Sequence, residues 1–188
     1  MHNIGLAAYY LFKTNYTANM KLLTIAMLAI ALFTNSSKSF AQQDNLLSAV
    51  PSTKEEFVQS EPAVVNTINW LEQTPLDEKE ERKTQQALLV AWIINSPTVS
   101  IELNEKTVPF TKKNDALLVM FMAGWTRYCL QNNYSKDPVQ CNLAGIKTAM
   151  IVYKKGIAIK KDKEMEKLIA LDNKGELEQW IKETLPKK

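Results

Sequence analysis

Histidine is nearly absent from this 188-residue sequence: the one histidine, His2, lies in an N-terminal stretch that we expect to be removed. Without histidine a protein has no Ser-His-Asp or Cys-His catalytic pair, no histidine general base and no imidazole ligand for zinc. We therefore assign no catalytic residue, predict neither a cofactor nor a metal site, and favour a protein that is not an enzyme.

Arginine is equally scarce, with only Arg82 and Arg127 among the 23 basic residues. Removal of residues 1–41 would take away three lysines and no acid, leaving 20 basic side chains against the 20 acidic ones. A chain without net charge and with few arginines lacks the basic balance and the bidentate phosphate readers typical of nucleic-acid-binding proteins. We expect no nucleic acid partner.

Helix breakers are few inside the segments with helical periodicity. Only four of the five glycines follow residue 41, and none of the seven prolines falls in the interior of a proposed helix. This pattern is typical of an all-α protein, and we predict a compact bundle of five to seven helices. Residues 98–110 are the exception, because apolar and polar residues alternate there. They predict a small hairpin or, as the alternative, an extended connector.

The run Ala116–Trp125 is ten residues long and carries no charge and no strongly hydrogen-bonding side chain, with Asp115 before it and Arg127 shortly after it. It is too short to span a bilayer. A helix that is apolar on all sides must be covered on several sides, so this run predicts the central helix of the bundle, at about 114–132.

Capping patterns place several helix boundaries. Ser52 or Thr53, followed by glutamate, opens a short helix, and Ser60-Glu61-Pro62 opens a separate one with proline in its first turn. Asp137-Pro138 opens a later helix, which ends at Gly156 after two lysines.

The N-terminal region has the pattern of a secretory signal peptide. Met20-Lys21 precede an uncharged run, Leu22–Phe33, and Ser39-Phe40-Ala41 carries small residues where signal peptidase requires them. The competing interpretations are a buried helix and a membrane anchor, for which the run is too short. We predict a signal peptide at 20–41 and a secreted or periplasmic protein without a transmembrane segment in its mature chain.

The remaining boundaries follow from this leader. A signal that begins at Met20 is complete, so we predict that residues 1–19 are an upstream start that translation does not use. One long, two-part signal is the alternative. We expect a tether at 42–50 and a single helical domain at 51–185.

Cys129 and Cys141 are the only cysteines, and each lies six residues from Ser135. An antiparallel hairpin of the two flanking helices would bring both to the same level. In an oxidising compartment such a pair predicts a disulfide. The alternative is two buried free thiols that act as small apolar groups.

Other clusters have a functional and a structural interpretation. Lysines around Gly156 predict an anion-binding corner for a polyanion or a lipid headgroup, whereas a solvated face is the commoner use of such a run. The lysines are Lys154, Lys155, Lys160, Lys161, Lys163 and Lys167.

Four tryptophans on four predicted helices are interpreted as core anchors rather than as an aromatic pocket. They are Trp70, Trp92, Trp125 and Trp180. Gly145 is interpreted as a point of close helix approach.

In layout the chain resembles small uncharacterised secreted helical proteins of Bacteroidetes-type bacteria. The shared features are the MKLL…SFAQQ leader, Trp92 followed by Asn95-Ser96-Pro97, and the Leu177–Ile181 ending. The resemblance implies a secreted helical protein and attaches no activity to it.

Export, an apolar core and the lack of histidine favour a non-catalytic domain that binds a ligand or another protein, for example one of the cell envelope. Two other classes remain open: a hydrolase or lyase that uses carboxylate, lysine or tyrosine side chains, and a structural envelope component. A deep pocket with buried ionisable groups would favour the enzyme. An exposed apolar patch would favour the binding domain.

The leader generates a direct prediction. Because signal peptidase cleaves after small residues, we expect the mature protein to begin at Gln42. Intact-mass spectrometry of protein recovered from the envelope or the medium measures this. A mass that still includes Leu22–Phe33 would contradict the prediction.

Overall fold

The computed structural model describes residues 45–78 and 80–186. The predicted signal peptide, residues 1–19 and the start of the predicted tether lie outside this range. The described residues form six α-helices and one 3₁₀ helix and contain no strand, so the predicted all-α bundle is confirmed. The elements are α1 Lys54–Gln73, α2 Glu80–Asn95, a 3₁₀ helix Pro109–Lys112, α3 Ala116–Gln131, α4 Pro138–Lys155, α5 Lys163–Asn173 and α6 Leu177–Thr184.

The central helix is α3, as its composition predicts. Leu117, Met120 and Phe121 are fully buried, and Trp125 is almost so. Its most extensive contacts are with α4, and it also touches α1, α2 and the 3₁₀ helix. An apolar helix that several neighbours cover leaves little of its surface in water, which supplies the main hydrophobic contribution to stability.

Two glycines let α3 and α4 approach closely. A β-carbon on Gly145 would lie 2.7 Å from the backbone oxygen of Phe121, and one on Gly124 would lie 2.6 Å from that of Ala144. Neither distance is compatible with a methyl group, so any larger residue would push the helices apart. The close approach predicted at Gly145 is confirmed.

Helix α1 differs from its prediction, because one helix of 20 residues replaces the two expected around Ser60-Glu61-Pro62. Its N-terminus has the predicted capping box, with Thr53 and Glu56. Pro62 lies inside the helix and cannot donate to the carbonyl of Val58, four residues earlier. Val58 is 42% exposed, so water can reach that part of the helix, and the helix continues.

The segment at 98–110 forms no hairpin. Only isolated turns and the start of the 3₁₀ helix occur in it, so the extended connector is the observed structure. Its apolar residues pack individually, with Val99, Val108 and Phe110 buried, and the Trp125 indole N–H donates to the Ser100 carbonyl at 3.1 Å. The alternation that predicted strands therefore reflects burial against helices, not pairing with a second strand.

The described part of the predicted tether packs against α1. Leu47 is 2% exposed, and its backbone N–H donates to the Thr67 hydroxyl at 2.8 Å. The compact unit accordingly begins at Asn45.

The C-terminal end of α1 receives a buried cation from α2. The last carbonyls of a helix have no partner within it, and α1 has no basic residue in its last turn. Arg82, 2% exposed, donates through Nη1 to the carbonyls of Leu71 and Thr74, both at 2.6 Å. Burial lowers the pKa of Arg82 to about 10, so the guanidinium remains charged at neutral pH.

Two more cations reach the same helix end. Lys155 of α4 donates to the carbonyls of Glu72 and Gln73 at 2.5 and 2.8 Å. Arg127 of α3 binds the Glu72 carboxylate, with its closest contact at 2.6 Å. Cations at a helix C-terminus are also favoured by the helix dipole. Both arginines after residue 41 are therefore used within the fold.

We expect Arg82→Met to destabilise the protein strongly. Methionine fills a similar volume but leaves the Leu71 and Thr74 carbonyls unpaired. Each buried carbonyl without a partner should lower the free energy of unfolding by about 1–3 kcal/mol. Urea unfolding should show a lower midpoint with an unchanged slope. Lys83→Met, at an exposed neighbouring position, is the control and should leave the midpoint in place. Equal midpoints for the two variants would refute the capping role.

Candidate functional site

An open groove lies between α2 and α3. It has a volume of about 580 Å³ and is lined mainly by aliphatic side chains. The lining residues are Gln86, Ala87, Val90, Ala91, Ile94, Asp115, Ala116 and Val119.

Helical spacing places the α2 side of the groove on one face. Ala87, Val90, Ala91 and Ile94 lie at positions i, i+3, i+4 and i+7, which share one side of a helix. Ile94 is 73% exposed, more than any other large hydrophobic side chain among the described residues. The buried face of α2 is made by other residues, among them Trp92. Helix α2 thus has a second apolar face that the described residues leave open.

Small side chains leave the space between the two helices that forms the groove. Ala87, Ala91 and Ala116 reach only a short distance from their helices, and α2 makes fewer contacts with α3 than with α1. The polar groups at the rim are Gln86 and Asp115. The Asp115 carboxylate accepts from the Ala116 N–H at 2.9 Å and is otherwise exposed, so it can meet a cation.

The groove offers a potential partner apolar side chains and one carboxylate. Asp115 is the only ionisable residue that lines it. Among the described residues Asp162 is the one buried carboxylate, and its side chain caps α5 by accepting from the N–H groups of Glu164 and Met165. General acid–base catalysis uses a pair of groups held in one pocket, and neither carboxylate has such a partner.

The two cysteines meet where the α3–α4 hairpin predicts. Their sulfurs are 3.7 Å apart, and both thiols lie near the Ser135 carbonyl, Cys129 at 3.2 Å and Cys141 at 3.7 Å. Both thiols are buried and free. A disulfide bond requires about 2.05 Å between the sulfurs, which is well below the observed separation. The hydrogen bond from Cys141 lowers the pKa of Cys129, and the same contact raises that of Cys141.

The turn between these helices is strained and tied to α1. Asn133 and Tyr134 both have left-handed backbones, with φ of 53° and 55°. That conformation is unfavourable for a tyrosine. The Tyr134 hydroxyl donates to the Glu61 carboxylate at 3.1 Å, which anchors the turn. Asp137 then caps α4 through the N–H groups of its first turn.

The structure changes the membership of the predicted lysine corner. Lys155 does not belong to it, since its ammonium group caps α1. Lys154 and Lys161 line a pocket of about 370 Å³ together with Tyr153, Gly156, Ile159, Glu166 and Ile169. Lys160, Lys163 and Lys167 are exposed near it in the chain. The sequence could not show where the Lys155 side chain ends, because its hydrogen-bond partners lie more than 80 residues earlier in the chain.

The tryptophans are core anchors, as interpreted. Trp92 and Trp125 are buried, and Trp70 and Trp180 pack against the core while half exposed. The Trp92 indole N–H donates to the Ser60 hydroxyl at 2.8 Å, so its polar edge is satisfied.

Across residues 45–78 and 80–186, no group of three or more Cys, His, Asp or Glu side chains could hold a metal ion. Within the same range, no helix has both the length and the apolar character needed to cross a membrane. The chain matches no protein family model, no curated protein and no solved structure.

Proposed function

We propose that this chain is an exported, non-catalytic domain that binds a partner protein through the groove between α2 and α3. The observation that carries the proposal is the open apolar face of α2, on which Ile94 is 73% exposed. Exposing such a face to water is unfavourable, and contiguous apolar patches on folded proteins commonly mark binding sites. The leader pattern at 20–41 supports export.

An amphipathic helix is the partner element that suits the groove. From Ala87 to Ile94 the apolar face covers two helical turns, about 10 Å at 1.5 Å per residue. A groove between two helices accommodates a third helix whose apolar side chains recur at i, i+3 or i+4, and i+7. The carboxylate of Asp115 at the rim favours a lysine or arginine beside that apolar stripe.

We further propose that Cys129 and Cys141 form a disulfide after export. Their sulfurs need to approach by less than 2 Å from the observed 3.7 Å to reach bonding distance. The Cys129 thiolate attacks a disulfide of the compartment's oxidising system and releases one thiol. Cys141 then attacks the mixed disulfide and releases the second thiol, so the oxidant gains the two electrons that the cysteines lose.

The groove proposal predicts a difference between two matched variants. Ile94→Asp places a charge on the apolar face, and Ile151→Asp makes the same change at a residue of α4 that is 45% exposed. Both positions are exposed, so both variants should fold. Wild-type mature protein, immobilised and incubated with an envelope extract, should retain a specific partner protein. The Ile94→Asp variant should retain at least about tenfold less of that protein, because a loss of 1.4 kcal/mol of apolar contact weakens binding by that factor.

Quantitative mass spectrometry of the eluates measures the difference. Ile151→Asp should retain the same protein at the wild-type level. A captured set that is identical for the wild type and both variants would exclude the groove as the binding surface.

The disulfide proposal is tested by peptide mapping and by unfolding. Protein from an oxidising compartment should give one Cys129–Cys141 peptide without reductant. Reduction should lower its free energy of unfolding by about 3 kcal/mol, the chain-entropy value for a loop of this length. Cys141→Ser should show no effect of reductant. Two free thiols in the exported protein would overturn the proposal.

A further inference from the structure

The loop between α4 and α5, Gly156–Lys161, is held at its far end by two anchors. The Lys160 N–H donates to the Asn114 side-chain oxygen at 2.8 Å, and the Asn114 amide donates back to the Lys160 carbonyl at 2.9 Å. The Asp162 N–H donates to the Tyr153 hydroxyl at 3.0 Å. These bonds fix a loop in which Ile157 is 40% exposed.

The Asn114 anchor adds two lysines from a distant part of the chain. Lys112 and Lys113 end the 3₁₀ helix directly before Asn114, so the paired bonds with Lys160 bring them beside the loop. Helix α5 also contacts the 3₁₀ helix. We call the resulting surface the basic face. Its members are Lys112, Lys113, Lys154, Lys160, Lys161, Lys163 and Lys167.

The basic face carries unbalanced positive charge. All of its lysines are exposed, and none forms an ion pair with another described residue. The acids among them or next to them are Asp115, Asp162, Glu164 and Glu166. Asp162 is buried as the cap of α5, and Glu166 accepts from the Tyr153 hydroxyl at 2.8 Å. The seven lysines still outnumber the carboxylates around them, so the face has a net positive charge and an anionic partner complements it.

Ile157, the exposed apolar residue among the lysines, favours one of two classes of anionic partner over the other. A soluble polyanion would contact the ammonium groups and gain nothing from Ile157. A bilayer surface offers phosphate headgroups to the lysines and, directly below them, an apolar layer for an exposed aliphatic side chain. Lysine side chains can span that boundary, because their stems are apolar and their ends charged.

We infer that the basic face binds the surface of a bilayer that contains anionic lipid. Ile157 enters the headgroup region, and the surrounding lysines contact phosphates. The elements involved, the 3₁₀ helix, the α4–α5 loop and α5, supply none of the side chains that line the groove. Membrane binding and partner binding are therefore separate properties, and either can be lost without the other.

The test uses the protein that begins at Gln42, because residues from Asn45 onward form one compact unit with its own core. It is mixed with phosphatidylcholine vesicles that contain phosphatidylglycerol, or with phosphatidylcholine vesicles alone, and bound protein is measured by flotation. We expect binding to the anionic vesicles only, with an affinity that falls as salt is added.

Matched variants locate the surface. Lys160→Gln/Lys161→Gln should weaken binding about 25-fold, since each lysine near an anionic bilayer contributes about fivefold. Lys54→Gln/Lys83→Gln removes the same charge from exposed positions on α1 and α2 and should bind like the wild type. Ile157→Ser should weaken vesicle binding several-fold and leave binding to heparin, a soluble polyanion, unchanged.

Three results would overturn the inference. The first is no binding to anionic vesicles. The second is an equal loss in both lysine double variants, which would indicate an effect of net charge alone. The third is heparin binding that needs Lys160 and Lys161 without vesicle binding, which would assign the face to a soluble polyanion.

Discussion

The packing of the described helices depends on the C-terminal end of α1. A helix leaves its last carbonyl groups without partners, and α1 carries no basic side chain of its own in its last turn. Arg82 from α2 and Lys155 from α4 donate to those carbonyls, and Arg127 from α3 binds the Glu72 carboxylate. The carbonyls that Arg82 binds are buried, and a buried carbonyl without a partner costs more than a hydrogen bond contributes. One helix end thus receives polar contacts from three other helices.

The α3–α4 hairpin is the second constraint, and it links packing to the cysteine chemistry. Gly124 and Gly145 permit a backbone approach that any side chain would prevent. Helix axes usually lie 8–10 Å apart, a separation at which two cysteines on facing helices do not easily meet. Because the helices converge toward their short connection, the sulfurs of Cys129 and Cys141 come into contact. The same geometry therefore excludes water from the core and places two thiols within reach of oxidation.

The groove and the basic face, the two surfaces proposed for binding, are formed by side chains that the packing of the helices leaves exposed. Helix α2 uses one face to cover α1 and the core, and its alanine-rich opposite face stays open as the groove. The lysines of the basic face are not needed as caps, in contrast to Lys155, so their charges remain unpaired. The lysines of the basic face outnumber the acids among them, whereas the first turn of α2 is acidic. The groove and the basic face are thus formed by different elements of the domain.

Local patterns in the sequence determined the helical class, the central helix, the capping box at Thr53 and the boundaries of α4, because helical periodicity and capping involve residues within a few positions of one another. They also predicted the meeting of the two cysteines, which a short connection between antiparallel helices enforces. Only the tertiary structure decided that α1 continues through Pro62, that residues 98–110 pair with no strand and that Lys155 caps a distant helix. It also decided where the groove opens and that Lys112 joins the basic face. Each of these outcomes depends on contacts between residues far apart in the chain, whose energies no local pattern contains.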